Sequence, residues 1–278
     1  MGADDRRTLS ISERDSVPIA DTPDGLLGGN MDNTARRVAL VTDAAHYVGP
    51  HLARLLASRG HDLVLGDPGT DLMAELEATG AAVVAVEGVL DLTDPSSSER
   101  LVGAAQERFG RLDAAVGGSG RVIVGKFVDS TADQLDAVLQ GCLVAPYHLL
   151  RAVVPAMVEQ GHGQMLLITS ASAVRPTPGA PLYSAARAGA TMLAKNVAME
   201  VARTGVQVNV VGTNFMDFPE FLRANRVTDE ASRRKVESMV PMKRLGTMEE
   251  FAAFCLPFID GTSGFTTGQF VAYAGGWA

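Results

Sequence analysis

Three side chains in the second half of the chain have the types and the spacing of a proton-transfer site. Ser170 ends an apolar run, Tyr183 lies thirteen positions later, and Arg187 follows Tyr183 by four positions. Residues four apart share one helix face, so the guanidinium of Arg187 is predicted to lie beside the phenol of Tyr183 and to favour its charged form. Ser170 can donate a hydrogen bond to the same oxygen of a bound molecule. These residues predict a catalytic group in which Tyr183 gives or takes a proton near neutral pH.

The position of these three residues in the predicted fold favours a catalytic function over an ordinary surface pair. An isolated tyrosine followed by an arginine is usually an ordinary surface pair. Here the run QMLLIT before Ser170 is typical of a buried strand, and Ser170 follows at its carboxyl end, where open α/β sheets have their active sites. A metal site is not predicted, because the histidines show no metal-ligand spacing with cysteines or carboxylates. Cys142 and Cys255 stand in apolar segments typical of buried thiols.

The first strand of the chain is followed by a turn that resembles a damaged cofactor loop. A dinucleotide fold needs glycines there, so that a pyrophosphate can approach backbone N–H groups. Of the three expected glycines only Gly49 is present, Asp43 would place a carboxylate near the diphosphate, and Tyr47 would place a ring in the path of the nicotinamide half. We therefore expect no dinucleotide cofactor. Asp67, at the position of a ribose-binding acid, is interpreted as a relic or a helix cap.

Apolar runs alternate with amphipathic segments from about residue 36 to the end of the chain. Runs such as RVALVT, DLVLGD, QMLLIT and VQVNVV are typical of buried parallel strands, and the segments between them of helices. This order predicts an α/β fold with one doubly wound parallel sheet, Rossmann-like, in a single domain over residues 36–278. Residues 1–35 mix charges, proline and glycine without a period and predict a flexible tail.

Composition and charge exclude several classes of partner. A net charge of −8 without a cluster of basic residues argues against nucleic-acid binding. The longest apolar runs have the length of a strand, so no membrane span is expected. Cysteines that are read as buried thiols and not as a disulfide suit the reducing cytoplasm. The predicted partner is a small molecule.

The motifs and the order of elements resemble the short-chain dehydrogenase/reductase superfamily from residue 36 onward. The residues that carry the resemblance are Ser170 and Tyr183 at their spacing, the VNVV strand, and the ending FTTGQFVAYAGG. Arg187 stands in place of the family's lysine, and Cys142 in place of its asparagine. The segment Gly117-Gly118-Ser119-Gly120 replaces the NNAG motif. The family implies the doubly wound sheet and a Ser–Tyr active site.

Within that superfamily, the chain resembles the halohydrin dehalogenases, which use no cofactor. Thr42, Tyr47 and Gly49 match the T-x4-Y-x-G pattern of those enzymes, and Ser170, Tyr183 and Arg187 match their S-x12-Y-x3-R pattern. The resemblance implies a pocket for a halide or another small anion in the space of the nicotinamide. It assigns this pocket to Tyr47, Thr213, Asn214, Phe215 and Met216, although the family commonly has proline where this chain has Thr213.

The resemblance also implies a reaction and an assembly. Tyr183 would remove the hydroxyl proton of a vicinal halohydrin held by Ser170, and the alkoxide would displace the halide to give an epoxide. In reverse, Tyr183 would protonate an epoxide while azide, cyanide, nitrite or halide attacks carbon. The expected enzyme is a carbon–halide lyase without cofactors. It is expected to be a homotetramer paired through two long helices, at about residues 131–160 and 181–204.

Two other functions remain open from the residues alone. A divergent NADP-dependent reductase could use Tyr183 with Arg187 and bind its cofactor through contacts other than the missing glycines. Alternatively, the chain could be a non-catalytic scaffold of the reductase type that binds a ligand or a regulator. Saturable NADPH binding would favour the reductase.

Overall fold

The computed structural model describes residues 36–118, 120 and 122–278. The strands found in this part of the chain form one parallel central sheet. In chain order the strands are β1 (Arg37–Val41), β2 (His61–Gly66), β3 (Val83–Val86), β4 (Ala114–Gly118), β5 (Gly163–Ser170), β6 (Val206–Thr213) and β7 (Phe270–Tyr273). Across the sheet their order is β3-β2-β1-β4-β5-β6-β7. The predicted doubly wound sheet is confirmed, whereas the predicted tail at residues 1–35 lies outside the described residues.

Helices cover both faces of the sheet. They are α1 (Gly49–Ser58), α2 (Thr70–Glu77), α3 (Pro95–Phe109), α4 (Ala132–Leu139), α5 (Ala145–Gln160), α6 (Pro181–Val201), α7 (Pro219–Ala224), α8 (Glu230–Ser238) and α9 (Met248–Cys255). Apolar side chains of α3, α5 and α6 pack on one face, and those of α1, α2 and α9 pack on the other. Because both faces are covered, strands such as β5 are buried along their whole length, which explains their continuous apolar sequences.

The strand order places one crevice at the carboxyl edge of the sheet. The chain winds outward from β1 to β2 and β3, and then returns to β4 on the other side of β1. Ligands of open α/β sheets bind beside such a reversal, at the carboxyl ends of the strands. The loops that follow β1, β4, β5 and β6 all lie at this edge.

The long helical segment after β4 is interrupted by a π-helical turn at Gln140–Val144. The turn separates α4 from α5, and such turns are frequent at functional sites. By length and composition alone, the segment Ala132–Gln160 contains a stretch that could cross a membrane. Its α5 part packs against β4, β5 and α3, as the core helix of this fold does.

Candidate active site

Ser170 is the last residue of β5 and lies at the crevice. It pairs in register with Thr213 at the end of β6, and its hydroxyl donates a hydrogen bond to the Thr213 carbonyl at 3.3 Å. The same Oγ accepts hydrogen bonds from the hydroxyl of Ser172 at 2.9 Å and from its backbone N–H at 3.2 Å. Ser170 is buried, so these bonds fix its side chain in a protected position.

Tyr183 and Arg187 lie together in the first turns of α6. Pro181 begins this helix, a favourable first position because proline has no N–H to leave unpaired. The guanidinium carbon of Arg187 is 5.2 Å from the centre of the Tyr183 ring, so the two side chains are neighbours as predicted. The effect of the guanidinium on the charge of the phenol stays a prediction. The loop from Ala171 to Ala180 joins Ser170 to this helix and brings all three predicted catalytic residues to the same edge of the sheet.

Arg187 is a buried cation, with only 6% of its surface exposed. In the described part of the chain, its Nε and Nη1 atoms have no hydrogen-bond partner. The site accommodates the guanidinium because residue 120 is glycine, since a Cβ there would lie 2.0 Å from Nη2. Cys142, in the π turn, is fully buried beside Ala186 in the same small cluster as Tyr183. The two donors of Arg187 are therefore available to ligand or water oxygens.

Tyr47 connects the turn after β1 to the end of β6. Its hydroxyl donates a hydrogen bond to Thr213 Oγ1 at 2.8 Å, and its ring packs edge-on against Phe218 at 4.7 Å and beside Phe251 at 5.9 Å. Burial raises the pKa of Tyr47, so its phenol stays neutral and acts as a donor. Because β4 and β5 lie between β1 and β6, this bond crosses the crevice above their ends.

The structure separates the residues predicted to form an anion pocket. Tyr47 and Thr213 are in contact, and Asn214 Oδ1 accepts the N–H of Phe215 at 2.9 Å. The Phe215 ring packs in a separate apolar cluster against Phe221 and Trp277, and Met216 is buried in the core below the sheet. The structure thus joins Tyr47 to Thr213 and places Asn214, Phe215 and Met216 along a neighbouring cavity beyond the end of β6. Their role in binding an anion stays a prediction.

The turn after β1 does not fit a diphosphate. Oδ1 of Asp43 accepts the backbone N–H groups of Ala45 at 3.3 Å and His46 at 3.1 Å, together with His46 Nδ1 at 3.0 Å. These are the amides that a pyrophosphate would need. Gly49 is required by the turn itself, because a Cβ there would lie 1.8 Å from the Asp43 carbonyl oxygen. A dinucleotide could therefore bind here only if the Asp43 carboxylate released these amides and the Tyr47 ring moved out of the crevice.

Asp67 holds a loop rather than capping a helix. Its carboxylate accepts the N–H groups of Gly88 at 2.6 Å and Val89 at 2.8 Å, whereas α2 begins after Gly69. Burial opposes the charge of Asp67, but these backbone hydrogen bonds outweigh burial and lower its pKa. Of the two interpretations of Asp67 from the sequence, the helix cap is wrong.

Two features of the site are missing from the sequence prediction. The first is Ser172, whose signal is no more than a second serine two positions after the first. The second is the hydrogen-bonded turn of Asp43, which could have been found, since aspartate before a turn commonly accepts N–H groups two and three residues onward.

Two depressions flank the contact between Tyr47 and Thr213. A cavity of about 190 Å³ lies beyond the end of β6, lined by Asn214, Met216 and Tyr273 among others. A wider cleft of about 470 Å³ lies on the outer side of Tyr47, between the beginnings of α1 and α9. Tyr183 lines neither of them. In the described arrangement, Tyr47 therefore forms part of the wall between this cleft and the interior of the site.

Comparison with known proteins gives consistent matches over most of the chain. The family model described as enoyl-(acyl carrier protein) reductase matches residues 44–278. The chain is 28% identical to 3-oxoacyl-(acyl carrier protein) reductase of Thermotoga maritima, covering 86% of this chain and 97% of the relative. It is 28% identical to D-beta-hydroxybutyrate dehydrogenase of Rhizobium meliloti, covering 87% and 98%. The structure of levodione reductase aligns with a TM-score of 0.77 and 26% identity, covering 86% and 96%.

These matches correct the predicted reaction. The curated relatives are named as reductases and dehydrogenases, which are oxidoreductases. The prediction of a carbon–halide lyase that converts halohydrins to epoxides is therefore wrong. The finer resemblance rested on a few positions around Tyr47 and Tyr183, whereas the matches extend over most of the chain.

The broader resemblance is confirmed. The sheet order, the position of Ser170 at the end of β5 and the position of Tyr183 at the start of α6 agree with the family match, which covers residues 44–278. The chain therefore belongs to the short-chain dehydrogenase/reductase family.

Proposed function

We propose that this protein is an oxidoreductase that interconverts a carbonyl and a hydroxyl group on a small molecule. Tyr183 exchanges a proton with the ligand oxygen, and Ser170 donates a hydrogen bond to that oxygen. The observation that carries the proposal is the placement of Ser170 and of the Tyr183–Arg187 pair at the same carboxyl edge of the sheet. The reaction class comes from the relatives, which are named as reductases and dehydrogenases.

The residues of this chain support the proton step. When a carbonyl is reduced, its carbon gains a hydride, which a nicotinamide cofactor would supply, and its oxygen gains a proton, which the Tyr183 hydroxyl supplies. The positively charged guanidinium of Arg187 lies 5.2 Å from the centre of the Tyr183 ring, near the negative charge that develops as the phenol gives up its proton. Ser170 holds the ligand oxygen in place. Positioning of this kind lowers the activation barrier, because the ligand has already lost its orientational freedom on binding.

The hydride is the part of the reaction that this arrangement does not explain. The family implies a nicotinamide cofactor, but the amides after β1 already donate to Asp43, and Tyr47 crosses the crevice. The proposal therefore requires a direct test of nucleotide binding. NADPH and NADH should be titrated against the purified protein by calorimetry, beside turnover of 3-oxoacyl thioesters, cyclic diketones and 3-hydroxybutyrate.

Tyr183→Phe is the control for the proton step. A positioned acid or base contributes about 10²–10⁴-fold to rate, so the variant should lose activity by that factor. Its nucleotide affinity should stay within twofold of the wild type. Turnover that survives in Tyr183→Phe would contradict the assigned role, and the absence of both nucleotide binding and turnover in the wild type would contradict the proposed function.

A second candidate is a non-catalytic scaffold that binds a ligand, and the Asp43 turn favours it. A carboxylate that already occupies the amides repels a diphosphate and competes for the same donors. Asp43→Gly separates the two candidates. If the protein is a scaffold that lost cofactor binding through this turn, Asp43→Gly should bind the nucleotide more tightly than the wild type and still show no turnover. If it is an oxidoreductase, the wild type should already bind the nucleotide and turn over a substrate.

A further inference from the structure

The hydroxyl of Ser170 accepts two hydrogen bonds and donates one. A serine hydroxyl offers one donor and two acceptor positions. Ser172 fills both acceptor positions of Ser170, with its hydroxyl at 2.9 Å and its backbone N–H at 3.2 Å. What remains to Ser170 is its own O–H, which points to the Thr213 carbonyl at 3.3 Å.

In the described part of the chain, the hydroxyl and the backbone N–H of Ser172 both donate to Ser170. Ser172 lies in the short 3₁₀ turn Ala171–Ala173 that directly follows β5, and 5% of its surface is exposed. The turn brings its backbone N–H and its hydroxyl to the same oxygen. A buried hydroxyl forms a hydrogen bond with the partner that is within reach, because leaving a buried donor without a hydrogen bond costs free energy.

We propose that Ser172 is a positioning residue that confines Ser170 to the role of hydrogen-bond donor toward the ligand. This proposal deepens the proposed function and rests on it. A ligand oxygen that replaces the Thr213 carbonyl must then be an acceptor, as a carbonyl or alkoxide oxygen is. The 3.3 Å bond to Thr213 is long, so a well-placed ligand oxygen at a shorter distance can displace it.

The test compares variants at position 172 with a matched control in the same loop. Ser172→Ala and Ser172→Cys remove or weaken the donor, and Ser172→Thr retains a hydroxyl. The control is Thr177→Ala, whose exposed hydroxyl donates to the Arg175 carbonyl instead. For carbonyl reduction we expect kcat to fall about 3- to 10-fold in the alanine and cysteine variants. KM should change less than twofold, and the threonine variant and the control should match the wild type.

A structural measurement separates this proposal from the proposed function. High-resolution crystal structures of the wild type and of Ser172→Cys or Ser172→Ala should show one Ser170 rotamer in the wild type and a second rotamer, turned from Thr213, in the variant. If the wild type reduces no carbonyl, the proposed function fails and the rotamer comparison alone decides the role of Ser172. An unchanged Ser170 rotamer in the variants, or an unchanged kcat in an active enzyme, overturns the proposal.

Discussion

Arg187 shows how a single residue is held ready for chemistry. Its guanidinium is buried beside the Tyr183 ring, and two of its nitrogen atoms have no partner in the described part of the chain. Unpaired buried donors are uncommon in native proteins and are explained where a ligand or water oxygen completes them. The guanidinium can lie here because Gly120 has no Cβ, which would otherwise occupy the same space.

Gly120→Ala should therefore reduce activity through Arg187. The added Cβ would lie 2.0 Å from Nη2 and 2.9 Å from Cζ, so the guanidinium must leave its present position beside Tyr183. We expect turnover to fall about tenfold and the free energy of unfolding to drop by about 1–3 kcal/mol, as for other overpacked sites. Steady-state kinetics and urea unfolding measure both. The matched control is Gly125→Ala, because a Cβ there meets no atom within 4 Å. Equal activities in the two variants would show that Arg187 has no positioned role.

Tyr47 should make the stability of the protein depend on pH in the alkaline range. Burial raises its pKa in the folded chain above the unfolded value of about 10. Above that value the folded state therefore binds more protons than the unfolded state, and stability falls as pH rises. Tyr47→Phe removes the share of this dependence that belongs to Tyr47 and leaves those of Cys255 and Tyr273, whose pKa values are also raised by burial. At neutral pH the variant costs about 1 kcal/mol through the lost bond to Thr213. Urea unfolding at pH 7 and pH 10.5 tests this. Parallel losses in both proteins would contradict it.

The elements at the amino edge of the sheet meet around one buried carboxylate. Asp113, just before β4, is fully buried and accepts the N–H of Val38 at 2.8 Å, two nitrogens of Arg111 at 2.8 and 2.7 Å, and Nε2 of His162 at 3.0 Å. These bonds join β1 to the segments that precede β4 and β5. Burial opposes the charge of Asp113, but its partners outweigh burial and hold its pKa below the usual range.

Asp113→Asn should destabilise the fold without altering the crevice at the opposite edge. Asparagine loses the charge that Arg111 and His162 now contact, but both of these side chains are partly exposed and can turn to water. We therefore expect a loss of about 1–3 kcal/mol in the free energy of unfolding, mainly from unmade hydrogen bonds around the buried side chain. Because the pKa of Asp113 is depressed, its contribution is present above the unfolded value of about 4 and is lost as pH falls below it. Urea unfolding at pH 7 and pH 3.5 measures both effects. The control is Asp133→Asn, on the exposed start of α4. Equal stabilities of the two variants at pH 7 would contradict the prediction.

Elements that bury continuous apolar sequence were predictable, and elements held by local contacts were not. The strand β5 is buried at all eight positions, so its sequence alone indicates a parallel strand. The helix α8 buries only Val236 and begins with an Asp229–Ser232 capping box, so no apolar period reveals it. The π turn at Gln140–Val144 is also hidden, because one extra residue in a helix leaves an apolar run unchanged. The same contrast holds in the site: residue spacing predicted the Tyr183–Arg187 pair, whereas Ser172 acts through a local hydrogen bond.

At the scale of the whole molecule, one surface remains unusually apolar for a single chain. The helices α4, α5 and α6 expose large apolar side chains on the same side of the sheet: Leu135, Tyr147, Met192 and Met199. Met199 is 74% exposed and Met192 is 57% exposed, seven residues apart on one face of α6. Exposed apolar patches of this kind mark association sites.

We predict that these helices pair two copies of the chain within a homotetramer, as the family resemblance implies. A carboxylate introduced into such an interface is desolvated without a partner, so Met192→Glu should shift the protein toward smaller species. Size-exclusion chromatography with light scattering at 1–100 μM gives the masses directly. Met239→Glu is the matched control, because Met239 is a similarly exposed methionine that follows α8, away from these helices. A wild type that stays monomeric at every concentration would refute the tetramer. A tetramer equally stable in both variants would locate the interface elsewhere, since a charge at Met192 would then remain in water.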